Sequence, residues 1–106
     1  QESIPDFLQC RRGDSLPKIV VKIEFHRTFT KRYKKAPRKV ARQFNERLRM
    51  FEANPFHPFL NNHPLSGDRK DQWSINVTGD WRAIYVFKDG DSIVFIDIDT
   101  HSNLYR

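Results

Sequence analysis

The sequence predicts an α+β domain in the order β-α-α-β-β-β, an antiparallel four-stranded sheet with two helices packed on one face. Three observations lead there. A β-branched run, Ile19 to Phe25, precedes a stretch in which apolar residues recur at helical spacing between Phe29 and Phe51. From Trp73 onward, three strand-like runs are divided by Thr78-Gly79-Asp80 and by Asp89-Gly90. A chain of 106 residues also has material for one modest core, which all these elements must share.

Residues 1–18 show no clear period and no apolar signal-peptide region, so they read as an N-terminal extension without assigned chemistry. Residues 19–106 make the domain. In its first strand, Ile19 to Phe25, Val21, Ile23 and Phe25 share one face and Lys22 and Glu24 the other. A short helix from Arg27 to Lys35 turns Phe29 and Tyr33 inward. Pro37 suits the first turn of a second helix, whose core stripe is Val40, Ala41, Phe44, Leu48 and Phe51. Asn54-Pro55 ends that helix, and two further prolines keep Phe56 to Pro64 irregular. Trp73 to Val77, Trp81 to Phe87 and Ser92 to Asp99 are the remaining strands. The last two are joined through Lys88-Asp89-Gly90-Asp91, where Asp-Gly favours a type I′ turn.

Charge narrows the partners. Nineteen Lys and Arg against 13 Asp and Glu leave +6, which favours a polyanion, nucleic acid before membrane. No apolar run approaches the roughly 18 to 20 residues that cross a bilayer. Arg38, Lys39, Arg42, Arg47 and Arg49 fall mainly outside the core stripe of the second helix. They form either a solvated face or a phosphate-facing surface. A single cysteine, Cys10, excludes an internal disulfide and fits a reducing compartment, hence a cytoplasmic protein. One Cys, no HExxH and no close ligand pair give a zinc site little support, so no metal or cofactor is expected.

Strand register then decides which residues share the uncovered face. Pairing Lys88 with Asp91 sets Tyr85 opposite Val94, Ala83 opposite Ile96 and Trp81 opposite Ile98, all on the core side. Arg82 with Asp97 and Ile84 with Phe95 then lie on the open side. A three-residue loop at Thr78-Gly79-Asp80 adds Asn76 opposite Arg82. Arg82 either pairs with Asp97 across the strands or aims its planar donor fork at a phosphate. His63, in the loop before the second strand, and His101, just past the fourth, both reach this side, whereas His26 and His57 read as ordinary surface residues. Two imidazoles around an arginine cleave RNA without metal. One takes the 2′-OH proton, the other protonates the departing 5′ oxygen, and Arg82 offsets charge on the phosphorane. An ordinary histidine, with a pKa of about 6.5, reaches both protonation states near neutrality.

Three motifs in this order resemble the RelE/ParE superfamily of small bacterial toxins, most closely its RelE-type mRNA interferases and their YafQ-like branch. They are His63-Pro64-Leu65-x-Gly67, Gly79-Asp80-Trp81-Arg82-Ala83-Ile84-Tyr85 and Thr100-His101-Ser102-x-Leu104-Tyr105. The resemblance spans Ile19 to Arg106. It implies a ribosome-dependent, metal-free endoribonuclease that cuts mRNA by 2′-OH attack and is held inactive by a cognate antitoxin.

Position by position, the resemblance makes His63, Asp80 and His101 catalytic, with Arg82 as the phosphate contact. It makes Tyr105, four residues after His101, a base-stacking or core-capping aromatic. Asn76, standing where the YafQ-like pattern has a second histidine, joins Tyr105, Arg38, Arg42 and Arg49 as an RNA-binding residue, the basic surface facing ribosomal RNA. Trp81, by parity, packs inward. The competing reading is a non-catalytic toxin of the same fold, such as a ParE-like gyrase inhibitor, or a basic RNA-binding module. Neither of these needs the His63, Arg82 and His101 set.

Overall fold

The computed structural model describes residues 22–105, so Ile19–Val21 of the expected first strand lie outside the described residues. The element order is β1 (Lys22–Phe25), α1 (Arg27–Lys35), α2 (Arg38–Ala53), β2 (His63–Pro64), β3 (Trp73–Asn76), β4 (Trp81–Asp89), β5 (Ser92–Thr100) and α3 (His101–Leu104). The helices begin where local chemistry allows. His26 caps α1, its Nδ1 accepting the N–H of Thr28 at 3.1 Å, and Arg32, Lys34 and Lys35 sit at its negative end. Pro37 stands one residue before α2 as its N-cap, not inside the first turn. Asn54 ends the helix before Pro55.

The sheet corrects the expected fold in two respects. It has five strands in the order β1-β5-β4-β3-β2, and it is mixed, because β1 runs parallel to β5. The additional strand is the two-residue β2, with His63 opposite Ser74 in a stretch expected to be irregular. That stretch also holds a 3₁₀ turn at Pro58–Leu60. The third helix, α3, is a single turn after β5.

Register differs too. Trp81 faces Thr100, Arg82 faces Asp99, Ala83 faces Ile98 and Ile84 faces Asp97, but Tyr85 then faces Phe95. Ile96 is therefore an extra residue in a β-bulge, and the parity of β5 flips there. The flip puts Ile93 and Phe95 in the core together with Ile98, and leaves Val94 and Ile96 half-buried. Phe95, expected on the open face, is fully buried under the helices, and Ile84 is fully buried on the opposite side of β4. The hairpin closes with Asp89 opposite Ser92, so its loop is Gly90-Asp91. The type I′ turn is not formed, since none of Asp89, Gly90 and Asp91 has positive φ. The three-residue loop holds, with Asn76 opposite Arg82 and the Val77 N–H bonded to the Trp81 carbonyl at 2.9 Å.

Aromatic rings fill the space between sheet and helices. Phe44 of α2 meets Phe95 edge-on at 5.4 Å and Phe29 of α1 at 5.1 Å, while Phe51 meets Tyr85 at 5.2 Å. Val40 completes the buried stripe of α2, and Leu48 and Trp81 pack against its edge. Both long helices thus share one face of the sheet, as expected. The 3₁₀ turn at Pro58–Leu60 adds Leu60 to that core, while α3 packs on β5 and is tied through Leu104 to a second 3₁₀ turn, Gly67–Arg69.

Candidate active site

His63 reaches the open face because it opens β2 at the sheet's edge. Its Nδ1 lies 2.7 Å from the carbonyl oxygen of Asn61. A carbonyl only accepts, so Nδ1 is the donor of this pair, and in the neutral ring the lone pair falls to Nε2. Asn61 is suited to the role by its left-handed backbone, φ 47° and ψ 45°, which closes the 3₁₀ turn. Its neighbour Asn62 anchors the loop, donating to the Pro55 carbonyl and accepting the Tyr85 hydroxyl, each at 2.9 Å. Burial pushes the Tyr85 phenol up to about 12, since the phenolate would lose its water.

His101 begins α3, and its N–H donates to the Asp80 carbonyl at 2.8 Å. Thr100 caps this turn by accepting the Asn103 N–H, and Asp99 accepts both Asn103 Nδ2 at 3.0 Å and Arg32 Nη1 at 2.8 Å. Arg32 also approaches Asp97 at 3.5 Å, so of the two readings of Arg82 the ion pair with Asp97 is not made, and that carboxylate turns to α1. Tyr105 lies one helical turn past His101 and meets its ring edge-on at 4.6 Å. Arg69 holds the end of the turn, with Nε donating to the Leu104 carbonyl at 3.1 Å and Nη1 to Gln72 at 2.7 Å.

Arg82 makes a different set of contacts from the cross-strand pair. Its Nη1 donates to the carbonyls of Thr78 and Trp81 at 3.0 Å and of Gly79 at 3.3 Å. No carboxylate lies within ion-pairing distance of it among the described residues. Carbonyl dipoles aim the guanidinium without neutralising it, which leaves Nε and Nη2 available to an anion.

His63, Arg82, His101 and Tyr105 line one cleft of about 460 Å³, together with Arg69 and Ser66. Two imidazoles, a free guanidinium edge and an aromatic ring around one cavity suit proton transfer at a phosphodiester. Among the described residues, no group of three His, Cys, Asp or Glu side chains is placed to hold a metal ion. Asp80 serves the cleft only through its backbone carbonyl, since its exposed carboxylate makes no hydrogen bond among the described residues and does not line the cavity. Asn76 stands across from Arg82 but lines a neighbouring cleft, and its buried Oδ1 has no partner among the described residues. Arg38, Arg42 and Arg49 lie exposed on the outer stripe of α2, away from the cleft. Arg69 and the Asn61 carbonyl escaped the sequence reading. A lone arginine after Gly67, in a loop feeding the strands, was the available hint for the first; a backbone carbonyl leaves none.

The family profile described as a bacterial toxin of type II toxin–antitoxin systems, YafQ, matches residues 21–106. The chain belongs to the YafQ toxin family. Over 39 residues it is also 44% identical to the endoribonuclease HigB of Proteus vulgaris, covering 37% of this chain and 42% of HigB's length. Among solved structures, YafQ from Escherichia coli BL21(DE3) superposes with a TM-score of 0.68 at 24% identity, covering 80% of this chain and 98% of that one. The YafQ fold also matches in the E. coli DinJ–YafQ toxin–antitoxin complex, with a TM-score of 0.65, 24% identity and coverage of 80% and 97%. For the YoeB/ParE toxin of Agrobacterium tumefaciens the values are 0.64, 21%, 76% and 99%. Identities this low carry the fold alone. Among the described residues, no helix is long and apolar enough to cross a membrane.

Proposed function

We propose that this type II toxin is an endoribonuclease that cuts mRNA on the ribosome, in the cytoplasm, until a cognate antitoxin binds it. The observation that carries the reading is the single cleft shared by His63, Arg82 and His101. His63, with Nδ1–H engaged by Asn61, offers Nε2 as the base for the 2′-OH proton. The 2′ oxygen then attacks phosphorus, and the free edge of Arg82 meets the charge gathering on the non-bridging oxygens. As the bond from phosphorus to the 5′ oxygen breaks, His101 gives that oxygen a proton. The products are a 2′,3′-cyclic phosphate and a 5′-hydroxyl end. No metal enters these steps.

Asp80 fixes His101 through its backbone, Tyr105 stacks on a base, and Arg38, Arg42 and Arg49 meet ribosomal RNA. Asn76 contacts the RNA beside the scissile phosphate. HigB, a similar protein, is named an endoribonuclease, and the DinJ–YafQ complex pairs a related toxin with an antitoxin; both support the reading. The test is to add the purified full chain to ribosomes programmed with mRNA and map the cut ends. Cleavage that disappears in His101→Ala is expected. Intact mRNA alongside blocked gyrase supercoiling would overturn the proposal in favour of a non-nucleolytic toxin.

A further inference from the structure

A second cleft, of about 450 Å³, lies beside the Thr78-Gly79-Asp80 turn and is lined by Lys39, Arg47, Phe59 and Asn76 together with Thr78 and Gly79. It shares two elements with the first. The stretch after α2 sends Phe59 into one cleft and Asn61 into the other, and Asn76 faces Arg82 across β3 and β4 at roughly 5 Å between Cα atoms. The two clefts are therefore neighbours along one surface.

Phe59 is 64% exposed, the most of any large apolar side chain among the described residues, and it does not belong to the core. Its ring is nevertheless held. The Arg47 guanidinium sits 5.8 Å from the ring centroid, and His57 packs edge-on at 4.9 Å. His57 Nδ1 also accepts the Phe59 N–H at 3.1 Å. A rigid aromatic facing water gains nothing from burial and is exposed at a cost in hydration. Lys39 adds a second cation, and among the described residues no carboxylate lines the cleft. A fixed aromatic beside unneutralised cations is the make-up of grooves that bind single-stranded nucleic acid, where a base stacks on the ring and a phosphate meets the charges.

We propose that this cleft is a nucleotide subsite: a base adjoining the phosphate at Arg82 stacks on Phe59, and Lys39 and Arg47 hold the next phosphate. The position relative to the cut rests on the ribonuclease reading; the RNA binding itself does not. The test uses the full chain carrying His101→Ala, so that RNA is not cut, titrated with a fluorescent single-stranded RNA oligonucleotide by anisotropy. Adding Phe59→Ala is expected to weaken binding about tenfold, and Phe59→Trp to keep or tighten it. Lys39→Ala is expected to lower the slope of log affinity against log salt by about 0.7. A thermal melt shows whether Phe59→Ala folds; if it does not, weakened binding in Phe59→Trp or an unchanged salt slope in Lys39→Ala would overturn the subsite. Phe59→Ala and Lys39→Ala titrations that match the parent would overturn the subsite, even if the wild-type chain cuts mRNA. Unchanged RNA binding with loss of antitoxin co-purification would overturn it as well, making Phe59 a protein contact. The predicted affinity losses in a chain that never cuts RNA would sustain the subsite and refute the nuclease reading.

Discussion

The two faces of the sheet are held together by different forces. On the helix side, Phe44 touches Phe29, Tyr33 and Phe95, and Phe95 in turn touches Phe29, Phe51 and Tyr85. Each ring there is restrained by several others, so the face is over-determined by packing. On the cleft side, His63 hangs on one carbonyl, His101 on another, and the end of α3 on Arg69. Stability resides in the first face, and the positions of the proposed catalytic side chains depend on a few polar ties in the second. Loss of a core ring should therefore unfold the domain without altering the chemistry of folded molecules, and loss of a tie should do the reverse.

The strongest way to break that contrast is His101→Ala. Cleavage should fall by about a hundredfold to ten-thousandfold, while the urea unfolding midpoint stays where it was, because the side chain is exposed. A large drop in stability would place His101 with the packing residues. Next comes Phe44→Ala, at a side chain only 2% exposed, which should cost about 3 to 5 kcal/mol in urea denaturation. A cost under about 1 kcal/mol would mean that the aromatic cluster does not carry the fold.

Tyr85 joins the two faces, with its ring in the core and its hydroxyl on Asn62. Its phenol sits at about 12 in the folded chain against about 10 when unfolded. A raised value means the folded state holds the proton longer. The contribution is thus complete below pH 10 and drains away as pH climbs toward 12, about 3 kcal/mol in all. Tyr85→Phe should remove that alkaline slope, as followed by stability measurements across the window. The smallest effect belongs to Arg69→Ala, which frees the Leu104 carbonyl. A loss of about 1 kcal/mol in stability and roughly tenfold in cleavage rate is expected. Arg69→Lys should recover part of the rate.

The same contrast explains what could be read without coordinates. Phe29 and Tyr33 at helical spacing located α1 to the residue, and Thr78-Gly79-Asp80 put Asn76 across from Arg82. The bulge at Ile96 was invisible because Ile93, Val94, Phe95 and Ile96 are apolar on both parities, and only packing against Phe44 selects between them. Parallel pairing of β1 with β5 joins segments about 70 residues apart through no turn of their own. β2 and α3, at two and four residues, are too short to show a period. In the cleft, His63, Arg82 and His101 announced themselves by type. The carbonyls of Asn61, Thr78 and Asp80 that aim them carry no side-chain signature.

In the proposed function, His63, Arg82 and His101 surround one phosphodiester. The most direct measurement is a crystal structure of the full chain with an RNA oligonucleotide whose reactive 2′-OH is replaced by hydrogen. A phosphate is expected within hydrogen-bonding distance of Arg82, with His63 and His101 on its two sides. A phosphate seated instead on Lys31 and Lys35 of α1, with the cleft bare of RNA, would contradict it.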